Sequence, residues 1–310
     1  MIRKKVKHIY FKSFIDNADI INTHNYFTSY SEFFMLSKAI LSNKGRITRD
    51  IVIKAILEWS DIPKYFNRFA GPTTRSAIEM YKNPGMEMKP LPGAVAVDYA
   101  SKATNGAAMK IAPAGILHPG NLEAAIDDAI VIAQVTHDNS LAISGACAIA
   151  AATSASLAEK ATIEEAISAG VYGAIRGETK AKSVSRVVAG ASVVERIKLA
   201  LQIAEGAGSK EEKLLKLSQI IGSGLHISEA VPCAFGIAAL NKDSALQAVI
   251  DAVNIGYDTD TIATIVGTMV GAFVDFEDKN FLDLYDKVQK ANEINLIILA
   301  DELATAAKVG

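Results

Sequence analysis

Asp258 and Asp260 stand one residue apart, Thr261 follows, and the apolar run Ile262 to Val274 begins immediately after them. Carboxylate and hydroxyl oxygens are hard donors, the kind that hold a divalent cation such as magnesium or manganese. Their spacing lets both carboxylates point to one side of an extended turn, where one cation can bind them together. A second reading needs no ligand, because a helix N-terminus is electropositive and accepts aspartates as caps. One capping aspartate suffices for that, and the spacing alone leaves both readings open.

Three other stretches combine polar residues with sharp turns in apolar surroundings. Thr104-Asn105-Gly106 precedes Ala107 to Ala112. Its amide and backbone N–H groups suit a phosphate or ribose, and an Asn-Gly pair is equally a plain turn. Thr136-His137-Asp138-Asn139 leads into an Ala-rich segment, where His137 either contacts a ligand or serves as a hydrogen-bonding histidine at a helix start. Gly222-Ser223-Gly224-Leu225-His226 has the glycines of a phosphate loop and equally those of a helix-to-helix turn.

These residues need helices to position them, and the sequence supplies the pattern. Phe33, Phe34, Leu36, Ile40 and Leu41 share one helical side, and Thr48 caps a helix carrying Ile51, Ile53, Ile56, Leu57 and Trp59. Pro72 opens a third, Asn121 caps another, and Thr162-Ile163-Glu164-Glu165 has the form of a capping box. Further helices are expected at about 183–205, 210–221, 228–240, 243–255, 261–274, 279–292 and 294–307. Gly145, Gly170, Gly173, Gly267 and Gly271 fall where helices would cross closely. In residues 1–27, Ile9-Tyr10-Phe11 reads as a short strand and Asp16 to Asp19 as a turn. No strand ladder, repeat or long linker competes, so the expectation is one all-α domain over 1–310, with 1–27 atypical.

The 310 residues are 50% hydrophobic and only 7% aromatic, so the core must be built mainly from Ala, Ile, Leu and Val. A net charge of −2 gives no global field for nucleic acid or a membrane surface. The basic start, Arg3 to His8, reads as a solvated arm. Cys147 and Cys233 sit among small apolar residues and read as buried hydrophobes in a reducing compartment. With no signal-peptide pattern at the start, the expected location is cytoplasmic. The uncharged run Asn139 to Ala158 is mostly Ala and Ser and reads as a central soluble helix.

Taken in order, Gly71-Pro72-Thr73-Thr74-Arg75, Asn105 to Pro113, Thr136-His137, Ser228 to Pro232 and Asp258-Thr259-Asp260-Thr261 resemble the ADP-ribosylglycohydrolase family. The resemblance implies a compact orthogonal multi-helix bundle that hydrolyses N- or O-glycosidic bonds to ADP-ribose or a related ribosyl compound, aided by magnesium or manganese. It implies that Asp258 and Asp260 are catalytic carboxylates and, with Thr261, metal ligands. It places Thr104, Asn105, Gly106 and His137 against the diphosphate and ribose. The family's other metal half-site, Thr-Asp-Asp-Thr, is matched by Thr28-Ser29-Tyr30-Ser31, so Thr28 is retained as a ligand while both aspartates are replaced. That departure implies one ion or none, with Asp16, Asp19 or Glu32 as the acidic residues that would compensate. Two alternatives follow: a catalytically silent relative binding ADP-ribose, a nucleotide or a protein partner, and a nucleosidase in which Tyr30 stacks on a base.

Overall fold

The computed structural model describes residues 28–88, 95–274 and 295–307, with Lys5, Pro90 and Leu282; the side chains of 28–30, 68 and 69 lie outside the description. Helices dominate it. The early group is α1 (Thr28–Ser42), α2 (Arg49–Ser60), α3 (Pro63–Phe69) and α4 (Pro72–Lys82). Two short turns of helix, α5 (Gly106–Met109) and α6 (Ala112–Ile116), lead to α7 (Leu122–Thr136), α8 (Ser140–Ser156) and α9 (Ile163–Val184). Then come α10 (Val193–Glu205), α11 (Lys210–Lys216), a π-helical turn (Leu217–Ile221), α12 (Ile227–Leu240), α13 (Ala245–Asn254), α14 (Thr259–Val270), a 3-10 turn (Gly271–Phe273) and α15 (Leu296–Ala306). Among the described residues there is no sheet, only isolated bridges at Thr104–His226 and Asn139–Arg186. No described helix is long and apolar enough to cross a membrane.

Helix α8 is the axis of the bundle. Nearly every residue in it is buried, and it packs on α7, α9 and α6. A helix buried all round needs small side chains to admit several neighbours, which is why this segment is mostly Ala, Ser and Gly. A Cβ added to Gly173 of α9 would lie 2.4 Å from the Cys147 carbonyl oxygen and 2.6 Å from the Ala151 Cβ. Gly173→Val is therefore expected to separate α8 from α9 and to destabilise the protein by about 1–3 kcal/mol. Urea unfolding reads this directly, and a midpoint equal to wild type would contradict the contact.

Caps act where the sequence places them. Thr48, Asn121 and Thr162 each accept a backbone N–H at a helix start, and Thr162 with Glu165 forms the full reciprocal box. Cys147 and Cys233 are free and buried, and burial raises both thiols, Cys233 to about 12.

Several expectations need correction. The helix expected at about 183–205 is two helices, because Ser185 to Ser192 runs non-helically between α9 and α10 and Arg186 bridges to Asn139 there. His137 does not open α8. It is the C-terminal cap of α7, and Asn139 caps α8 by accepting the Ala142 N–H at 2.9 Å. Of the basic start only Lys5 is described, and it is not a solvated lysine: its ammonium donates to the carbonyls of Ser156 and Ala158 at the C-terminal end of α8. A cation suits that negative end of a helix dipole. The expected strand at 9–11, the turn at Asp16–Asp19 and most of the helix at 279–292 lie outside the described residues.

Candidate active site

Two loops are zipped together beneath the start of α14. The Asn105 N–H donates to the Leu225 carbonyl at 2.8 Å, and the Ile227 N–H donates to the Ala103 carbonyl at 2.8 Å. The π-helical turn sets the second loop. Arg196 of α10 donates to its last carbonyls, Ile220 and Ile221, and Gly222 at φ +88° turns the chain away. Ser223, buried, then accepts the Asp258 N–H at 3.1 Å. These bonds bring together three stretches that lie far apart in sequence.

Asp258 is the product of that convergence. It occupies the N-cap position of α14 but makes no capping hydrogen bond from its side chain. Its Oδ2 instead accepts the Asn105 side-chain amide at 2.5 Å. Burial is the main reason its carboxyl is held up at about 6, followed by a shared hydrogen bond and charge repulsion with Asp260. Hydrogen bonds from Asn105 and Thr261 pull the other way. Asp258, Asp260 and Thr261 thus act on one another, and a side-chain cap, the second reading left open by the spacing, is not made by Asp258.

A buried polar chain runs back from this point. Thr104 Oγ1 and His137 Nε2 are 2.7 Å apart, and His137 Nδ1 lies 2.7 Å from Thr136 Oγ1. Lys110 donates to Thr136 Oγ1 at 2.8 Å and to Glu32 Oε1 at 2.6 Å. Lys110 and Glu32 are 1% and 2% exposed. An ammonium only donates, so Thr136 accepts from Lys110, which leaves the hydroxyl proton available to Nδ1. This arrangement favours the His137 tautomer with hydrogen on Nε2, directed at Thr104. Burial first, then the charges of Lys110 and Lys102, holds His137 well below the usual histidine range, so the ring is neutral. Gly106 makes room for it: a Cβ there would lie 3.2 Å from His137 Cε1 and Nε2.

His137 also lines a cleft of about 540 Å³, a size suited to a small molecule. The wall carries the cations Arg49, Lys102 and Arg186, the carboxylates Glu87 and Asp138, and the aromatic rings of Tyr81 and Tyr99. The Arg186 guanidinium stacks over the Tyr99 ring at 3.7 Å. Sequence reading did not find Arg49, Tyr81, Tyr99, Lys102 or Arg186. Lys102 and Tyr99 stood close to Thr104, a usable signal; the others are brought in only by packing.

The early half-site is otherwise. Thr28 and Tyr30 belong to the first turn of α1, and their side chains, with that of Ser29, lie outside the described residues. Ser31 accepts the buried Trp59 indole N–H at 2.8 Å. Glu32 does not compensate for the missing aspartates, since its carboxylate is bound by Lys110. Asp16 and Asp19 lie outside the described residues. Among the described residues no three His, Cys, Asp or Glu side chains converge on a possible metal position.

A family model for ADP-ribosylglycohydrolase matches residues 23–309. The chain belongs to the ADP-ribosylglycohydrolase family. Membership supports a glycohydrolase-like function and makes the Asp258 loop and the cleft the natural places to look for it. The uncharacterized protein YegU of Escherichia coli strain K12 is 31% identical over 239 residues, covering 76% of this chain and 68% of YegU. An uncharacterized protein of Archaeoglobus fulgidus is 30% identical over 172 residues, covering 54% of this chain and 49% of its own length. A solved ADP-ribosylglycohydrolase-related protein complex aligns with a TM-score of 0.64 at 18% identity, covering 99% of both chains. That likeness bears out the all-α bundle of the ADP-ribosylglycohydrolase fold.

Proposed function

We propose that this chain hydrolyses a glycosidic bond to ADP-ribose or a related ribosyl compound, with one hard divalent cation, magnesium or manganese, at Asp258 and Asp260. The observation that carries this reading is the pair itself: two carboxylates pressed together and partly buried, one of them clasped by Asn105, and linked through Asn105, Thr104 and His137 to a cleft lined by cations. Asp258 and Asp260 would hold the dication, whose charge would relieve the repulsion that raises Asp258, and Thr261 would add a third hard donor. The donor set fits one ion. For a second ion, no third His, Cys, Asp or Glu among the described residues joins the pair, and Glu32 is held by Lys110.

When bound, the cation supplies Lewis-acid stabilisation of negative charge on the reacting oxygens. The chain's own groups do the rest. Arg49, Lys102 and Arg186 attract a diphosphate into the cleft. Neutral His137 donates from Nε2 to Thr104, so the Thr104 hydroxyl proton is directed outward, toward a ribose oxygen. Asn105 fixes the orientation of the Asp258 carboxylate. As the bond from ribose C1 to the leaving nitrogen or oxygen lengthens, positive charge grows on C1 beside two carboxylates. A water oxygen adds to C1, its proton passes to a carboxylate, and the leaving group takes a proton as it departs.

Elemental analysis and calorimetry on wild type and on Asp258→Ala with Asp260→Ala test the proposal. Wild type is expected to bind one magnesium or manganese ion and to release ADP-ribose from ADP-ribosylated substrates, and the double variant to lose both. Wild type that holds no divalent ion and releases nothing defeats the hydrolase. ADP-ribose bound without turnover would support the silent relative instead, and turnover of nucleosides alone the nucleosidase.

A further inference from the structure

Tyr257, immediately before Asp258, has φ +62°, a left-handed conformation that L residues with a large side chain rarely adopt. Gly256 beside it, at φ +91°, takes its own left-handed turn without strain. Burial does not explain the tyrosine, because the residue is 80% exposed. One edge of its ring is seated on the bare backbone of Gly224, where a Cβ would lie 2.7 Å from Tyr257 Cε1 and 2.4 Å from Glu229 Oε2. Glu229 in turn accepts the Gly224 N–H at 3.2 Å. A strained backbone and a glycine thus hold an aromatic face in water on the Gly224 turn, which the Asn105 amide that clasps Asp258 also touches, and strain of this kind collects at functional sites.

Contacts give this ring a place relative to substrate. His137 on the cleft wall pairs with Thr104, Asn105 next to it holds Asp258, and the same Asn105 amide reaches the carbonyl of Gly224, on which the Tyr257 ring sits, at 3.4 Å. If the anionic half of a ribosyl substrate lies in the cleft and its C1 lies at the carboxylates, the leaving group lies on the Tyr257 side. We propose that Tyr257 is a specificity-determining residue whose ring stacks on a flat, nitrogen-linked leaving group and favours it over an aliphatic alcohol. This rests on the hydrolase reading above. A heteroaromatic base and a guanidinium share the required flat face.

The test is calorimetry in EDTA, where turnover is suppressed, using NAD as the ligand with a flat leaving group and ADP-ribose as the ligand without one. Tyr257→Ala is expected to weaken NAD about tenfold, the size of one stacking contact, and to leave ADP-ribose within about twofold. Tyr257→Phe should keep the wild-type difference. With magnesium present, peptides ADP-ribosylated on arginine and on serine separate the sources: Tyr257→Ala should lower kcat/KM for arginine and spare serine if a guanidinium is stacked. Thermal melting guards against a structural role, since loss of a ring on a residue that is 80% exposed should not lower Tm. Equal weakening of NAD and ADP-ribose, or a lowered Tm, overturns the role of Tyr257 while leaving the hydrolase standing. Wild type that binds neither ligand overturns the hydrolase reading and this role with it.

Discussion

Lys110→Met is expected to destabilise the protein by about 3–5 kcal/mol at neutral pH. The Lys110 ammonium lies 2.6 Å from Glu32 and 2.8 Å from Thr136, and both charged side chains are almost wholly out of water. Removing the cation alone leaves a buried carboxylate with no counter-charge, which costs far more than the pair itself contributes. The double variant Lys110→Met with Glu32→Gln removes both charges and should recover most of the loss. Urea unfolding of wild type, both single variants and the double variant completes the cycle. Additive single effects would show that the two charges do not depend on each other. The same substitution reaches the site: without Lys110, Thr136 no longer needs to offer its proton to Nδ1, and the His137 tautomer is released. Nitrogen NMR of the ring should show this, whereas a variant altered only in stability would keep the wild-type spectrum.

Asp258→Asn should make the metal-free protein more stable above about pH 6, by on the order of 3 kcal/mol. The folded state holds the Asp258 proton up to about 6, whereas an ordinary aspartate releases it near 3.8. Folding therefore favours the protonated form. This contribution is fully present below about 3.8 and is lost as pH rises through about 6. Denaturant titrations in EDTA at a series of pH values, taken as the difference between variant and wild type, isolate it from other titrating groups. A difference that stays flat across that window would remove the basis for a strained carboxylate pair. Saturating magnesium or manganese should reverse the ranking, because a cation stabilises only the ionised pair of wild type. An active site that weakens its own fold in the absence of its ligand is a common trade between stability and function.

The helices were legible in the sequence because their signals are local. Caps at Thr48, Asn121 and Thr162, the proline at position 72, and apolar spacing along α1, α2 and α7 depend on neighbours a few residues away. The split between α9 and α10 was not legible, since Ser185 to Ser192 leaves the helix to let Arg186 bridge to Asn139, a contact no local pattern records. Helix α3 was missed for a similar reason: seven residues are too few to show a period. Family motifs pointed to Asp258, Asp260, Asn105 and His137 without showing how they meet.

Composition and local pattern alone determined that this chain would be an all-α protein with an alanine-rich axis, because helix propensity, capping and small-residue spacing act over one or two turns. The tertiary structure decided the chemistry those helices hold. It made Asp258 a stressed carboxylate clasped by Asn105 rather than a cap, committed Glu32 to Lys110 rather than to a metal, and fixed His137 as a neutral ring. Each of these is a matter of burial and of a partner between 33 and 153 residues away. The charge a side chain carries depends on the solvent it loses and the groups it meets, and both are set only when the chain has folded.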